Sequence, residues 1–154
     1  MRKTLMRQNA FILIFVLLTC LFCSSCRYQI SDEKRVDVIS DIAEIVNDNY
    51  TNEDMETPLY ISMTEIDELA DKNSDLHKAI ERYYDVQQYH VYLLDNNMVL
   101  ITTESLFQGV KGYVVSDEEL DTTLMVPGLG FDSDRISIRD RIENSNIYAF
   151  SAGM

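Results

Sequence analysis

The chain has 154 residues, 46% of them hydrophobic and 10% aromatic, with only five glycines and two prolines, a composition that builds one packed core and excludes disordered and collagen-like classes. Its formal charge of −13 becomes −16 once the basic Arg2, Lys3 and Arg7 of the N-terminal segment are set aside. A field of that sign argues against nucleic acid or an anionic membrane surface as a binding partner. All three cysteines, Cys20, Cys23 and Cys26, fall at or before the end of the apolar N-terminal run, so the domain that follows holds no internal disulfide.

Met1 to Arg7 carries three positive charges, Ala10 to Cys23 reads AFILIFVLLTCLFC, and Ser24 and Ser25 place two small residues before Cys26. Basic, apolar and small regions stand in the order an export signal needs. The basic end stays in the cytoplasm while the short apolar helix enters the bilayer, and the peptidase requires small side chains beside the cut. The stretch Cys23-Ser24-Ser25-Cys26 resembles the lipobox of bacterial lipoproteins, with Cys23 at the place where that pattern favours Leu. The resemblance implies a signal peptide over 1–25, acylation of Cys26 and anchoring to a membrane on the non-cytoplasmic side of the cell envelope. Plain secretion after cleavage at Ser25 and an uncleaved anchor are the alternatives, and an apolar run well below the roughly 20 residues of a span makes the anchor the weaker.

Residues 26–31 are the only tether before a single acidic domain over 32–154, and about five extended residues reach no more than roughly 18 Å. Ser31 caps a first helix over about 32–48, in which Val38, Ile39, Ile42, Ile45 and Val46 recur at helical spacing. Asn47 to Pro58 reads as a loop and Leu59-Tyr60-Ile61 as a short extended piece. Thr64 with Asp67 suggests a second helix start that carries Ile66, Leu69 and Ala70 inward, and Ser74 a third, with Leu76, Ala79, Ile80, Tyr83 and Tyr84 on its apolar face.

From Gln88 the periodicity shortens. YHVYLLD and MVLITTE flank Asn96-Asn97, a pair that tolerates the left-handed backbone of a tight hairpin, with Leu94 facing Val99 and Tyr92 facing Ile101. Gly112 to Ser116 reads as another strand, and the acidic run 117–121 opens a loop that closes with Pro127-Gly128-Leu129-Gly130. Arg135 to Ile142 and Ile147 to Ala152 form a last hairpin around Asn144-Ser145. Helices followed by hairpins predict an α+β domain: short N-terminal helices packed on one face of a mainly antiparallel sheet of four to six strands.

The candidate chemistry is sparse. His77 and Glu81 stand four apart on a helix, half of a metal site, and His90 would have to complete it. Asp132 and Asp134 resemble the start of a calcium loop, but no glycine follows at the sixth place, and Gly128 and Gly130 lack the trailing Lys or helix of a phosphate cradle. Asp117 with Glu119 is a carboxylate pair that a hydrolase acting on envelope polymers would need. In RISIRDRI, alternation sets Arg135, Ser137, Arg139 and Arg141 on one face and Ile136, Ile138 and Ile142 on the other, with Asp140 marking a bulge or an exposed sheet end. Arg135, Arg139 and Arg141 form the candidate contact strip, with Tyr148 and Phe150 opposite Arg141 and Arg139. No catalytic, cofactor-binding or metal-ligating set emerges, and no cofactor is expected. The sequence points to an exported lipoprotein held to a membrane by its lipid, with a non-enzymatic binding, accessory or inhibitor/immunity-type domain that meets a protein partner. An envelope hydrolase or a structural component is the alternative.

Overall fold

The computed structural model describes residues 30–50, 56–106, 109–129 and 134–153. Helix α1 (Asp32–Tyr50) starts where the Ser31 carbonyl accepts from the amides of Lys34 and Arg35, and Asp32 and Glu33 complement its positive end. Its buried residues, Val38, Ile39, Ile42, Ala43 and Val46, return at helical period and form one stripe against the sheet.

Strand β1 (Leu59–Ile61) leads directly into α2 (Met63–Leu69). The cap is Ser62 and not Thr64: the Ser62 hydroxyl accepts from the Glu65 amide, and the Glu65 carboxylate accepts from the Ser62 amide at 2.8 Å. Two Ser/Thr windows compete here, and the one with Glu three residues on closes the reciprocal box. Within α2, Ile66 is buried while Leu69 is 44% exposed, which corrects the inward placement of Leu69. Ser74 caps α3 (Asp75–Arg82) as its sequence predicts, and α4 (Tyr84–Gln87) follows at once.

The remaining elements are β2 (His90–Leu93), β3 (Val99–Leu106), β4 (Gly109–Val115), β5 (Thr123–Met125), β6 (Arg135–Arg141) and β7 (Ile147–Gly153). They form one antiparallel sheet in the order β1-β2-β3-β4-β7-β6-β5. The fold is α+β with an antiparallel sheet, but the sheet has seven strands where four to six are expected. The additional strand is β5, inside the segment read as loop; it pairs Thr123 with Ser137 and Met125 with Arg135.

Two cores lie on the two faces of this sheet. One joins the helices to Ile61, Val91, Leu93, Val99, Ile101, Val115 and Ile147. The other, among the described residues, has no member from the helices and is built of Leu94, Leu100, Val114, Val126, Ile136, Ile138, Tyr148, Phe150 and Ala152. Leu94 and Val126 come from opposite ends of the strand order, so the sheet curls until its two margins meet, and the backbone at Gly128 abuts the Pro58 ring.

This double burial explains the register of the first hairpin. The strands pair Leu93 with Val99 and Tyr92 with Leu100, one residue away from the expected pairing. Leu93 and Leu94 are both buried, so alternation carries no face information there, and the Leu94–Met98 loop decides. Asn96 and Asn97 both take positive φ in that loop, as does Asn144 in the β6–β7 turn. At Gly112 the constraint is steric: an added Cβ would lie 1.9 Å from the Ile101 carbonyl oxygen and 2.8 Å from the Phe150 ring, beside the β3 irregularity after Thr102.

Candidate interaction surface

Among the described residues the most exposed aromatic side chain stands at the β1 margin. Tyr60, the central residue of this edge strand, is 51% exposed and pairs in register with Tyr92. Its ring lies 5.4 Å from Tyr92, tilted by 54°, and 6.0 Å from His90, tilted by 38°. Tyr92 leans on the second core, and burial followed by the nearby Tyr60 raises its pKa. Next to this cluster Thr57, Pro58, Leu94, Met98, Met125 and Pro127 line a small cavity where the curled sheet's margins meet. Met125 is 63% exposed at the opposite margin, and the Thr57 hydroxyl donates to the Asp95 carboxylate. Exposed apolar side chains gathered on one patch mark a protein contact more often than scattered ones do.

Sequence reasoning missed this cluster. Its signal was present in the Tyr89-His90-Val91-Tyr92 alternation, but the pairing that brings Tyr60 alongside is long-range.

The arginine strip does not stay on one face. A register shift between Ile138 and Arg141, the bulge that Asp140 marks, brings Arg141 opposite Tyr148, while Phe150 pairs with Ile138 and not with Arg139. Arg141 therefore sits with its guanidinium carbon 5.5 Å from the Tyr148 ring centroid, and its Nε donates to the Ser145 carbonyl at 2.7 Å. Arg139 Nε donates to Ser151 Oγ at 2.9 Å. Arg135 pairs in register with Met125. Ile142, past the bulge, packs against the helical core instead of the second one.

His77 joins α2 to α3: its Nδ1 stands 2.6 Å from Asp67 Oδ1 and its Nε2 3.7 Å from Glu81 Oε1. His90 lies beside Tyr60, ring centroids 6.0 Å apart, instead of completing that group, and no set of three metal-ligating side chains gathers among the described residues. Asp117 accepts from Asn146 Nδ2 at 3.2 Å, and Glu119 is exposed in the loop beyond it. Asp132 and Cys26, the lipidation candidate, lie outside the described residues, as does the signal segment; among the described residues no helix is long and apolar enough to cross a membrane.

A polar cluster fixes Ile30, the first of the described residues. Ile30 is 3% exposed, and its amide donates to both Asp85 oxygens at 3.3 Å. Arg35 Nη2 reaches the Ile30 carbonyl and Asp85 Oδ2, each at 3.5 Å. Behind it Tyr89 is 3% exposed, its hydroxyl has no partner among the described residues, and burial drives its pKa upward.

Compared with family models, characterised proteins and solved structures, the chain matches none.

Proposed function

We propose that this chain is an exported lipoprotein, acylated at Cys26 and held at the cell envelope, whose α+β domain is a non-enzymatic module that binds a protein partner. The N-terminal order of basic, apolar and small residues supports the export half of this reading. The binding half is carried by one observation: Tyr60, half exposed at the centre of the terminal strand β1, beside Tyr92 and His90. A ring that large left in water on a sheet margin costs hydrophobic free energy that a partner recovers on docking, about 25 cal/mol per Å² covered.

Arg135, Arg139 and Arg141 enter this reading only as flanking contacts. Arg139 and Arg141 already hold partners within the sheet. The test has two arms. Intact mass of the protein extracted from native membranes should show loss of residues 1–25 and an acyl mass on Cys26, both abolished or blocked in Cys26→Ser; a chain still carrying Met1 contradicts the export half. Capture from the same membranes should recover a partner with wild type and Arg139→Ala but lose it with Tyr60→Lys; equal recovery with all three contradicts the assigned surface.

A further inference from the structure

Away from the sheet margins, helices α1 and α3 enclose a groove of about 90 Å³. Helix α1 lines it with Lys34, Asp37, Val38 and Asp41, and α3 with Asp75, Lys78, Ala79 and Arg82. Each set follows the spacing i, i+3, i+4, i+7, so each is one continuous helix face. Val38 and Ala79, with Ile30 at one end, are buried and make an apolar floor, while Asp41 is half-buried and the other charged residues are exposed along the rims.

Two contacts fix how these helices run. The Ile30 amide, ahead of α1, meets Asp85 just past the end of α3, and Asp41, midway along α1, lies close enough to Asp75 at the start of α3 for the two carboxylates to repel. The helices are therefore antiparallel, which sets Lys34 across from Arg82, Asp37 across from Lys78, and Asp41 across from Asp75. Only the middle pair is complementary. The outer two place like charges opposite each other at the two ends of one groove, an arrangement that Coulomb energy disfavours and that a helix pair shaped for stability alone avoids. The side chains of Lys34 and Arg82 have no hydrogen-bond or ion-pair partner among the described residues. Lys78 Nζ donates to one Asp75 oxygen at 3.3 Å, which leaves the other oxygen and the whole Asp41 carboxylate without a donor among the described residues.

An anion satisfies only the Lys34 end and a cation only the Asp41 end; an occupant carrying both a carboxylate and an ammonium satisfies the two together. Seven residues of helix from Lys34 to Asp41 rise about 10 Å, and about three residues of extended chain span the same length. Between its ends a peptide also needs partners for its backbone, and the middle pair supplies them, Asp37 as acceptor for an N–H and Lys78 as donor to a C=O. We infer that the α1–α3 groove binds a short peptide with free ends, its carboxylate at Lys34 and Arg82 and its ammonium at Asp41 and Asp75. None of these residues belongs to the Tyr60 cluster, so this inference stands or falls apart from the protein-binding reading.

The experiment titrates trialanine into the full chain in neutral detergent micelles and follows the amides of residues 34–41 and 75–82 by NMR. Trialanine should give saturable shifts on both helices. N-acetyl-trialanine, which lacks the ammonium, and trialanine amide, which lacks the carboxylate, should each bind about tenfold more weakly. The compound 6-aminohexanoate, with both charges and no peptide group, should bind several-fold more weakly. The double variant Lys34→Gln, Arg82→Gln and the single variant Asp41→Asn should each weaken trialanine about tenfold while Tm stays equal or rises, because each relieves a like-charge contact; that separates lost binding from lost fold. Tyr60→Lys should bind trialanine as wild type does. Absent shifts, shifts confined to one helix, equal affinity for either blocked peptide or for 6-aminohexanoate, full affinity in the groove variants, or lost affinity in Tyr60→Lys overturns the inference.

Discussion

Asp85→Ala removes the carboxylate that holds the start of the fold, and its cost follows from the contacts. The Ile30 amide loses an ionised acceptor that it reaches at 3.3 Å through both oxygens, and Arg35 loses a counter-charge at 3.5 Å. A hydrogen bond to a charged group contributes about 1.5–3 kcal/mol. Breaking a fully buried ion pair costs about 3–5 kcal/mol and an exposed one about 0–1. Here the side chains are 24% and 23% exposed and the contacts are long, which places the loss near 2 kcal/mol, between those limits. For a domain of this size that is about 6–10 °C in Tm. Asp85→Asn keeps an acceptor for Ile30 and should lose only about half as much. Urea melts of Asp85→Ala, Arg35→Ala and the double variant should give a coupling energy of about 1 kcal/mol, with amide exchange at Ile30 accelerated in every variant that lacks Asp85. A loss below about 0.5 kcal/mol for Asp85→Ala, or strict additivity, refutes the assigned cluster.

Gly112→Ala drives a methyl group into the Ile101 carbonyl oxygen, so it should cost at least about 2–3 kcal/mol in a chemical melt; a neutral result contradicts the close β3–β4 approach. Asp41 has its pKa raised by burial and then by Glu44, Asp37 and Asp75. Because the folded-state value lies above the unfolded one, the associated stability is present below the ordinary carboxyl value and lost as pH rises through the raised value. Asp41→Asn should therefore raise Tm at pH 7 and leave it unchanged at pH 3, and a lower Tm at pH 7 contradicts the assignment. Arg139→Ala and Arg141→Ala should each cost about 1 kcal/mol or less, Arg141 the more because it also loses the Tyr148 ring; thermal melts decide, and a larger loss gives the strip a structural weight these contacts do not explain.

What could be read from the sequence was local. The α1 stripe, the Ser74 cap and the Asn144 turn depend on residues within a few positions of one another, and they stand where the pattern puts them. The hairpin at Asn96 slipped by one residue because β3 is buried on both faces over Val99–Thr102 and Leu93 and Leu94 are both buried at the end of β2, which removes the alternation that fixes register. Strand β5 has three residues within a run of loop-like polarity, and only pairing with β6 makes it a strand. The arginine strip was legible as alternation up to Ile138, after which one bulged residue moves Arg141 and Ile142 to exchanged faces. The Tyr60 surface depends on β1 meeting β2 across the intervening helices α2, α3 and α4, and no local pattern announces that meeting.

The central claim is that Tyr60 marks a protein-binding surface, and site-specific photo-cross-linking in the native envelope tests it most directly. A photoreactive phenylalanine placed at position 60 should yield one discrete adduct, competed by excess wild-type chain. The same group at Leu69, an exposed apolar residue at the C-terminal end of α2, should yield none. Adducts of equal intensity at both positions, or none at position 60, would contradict the account.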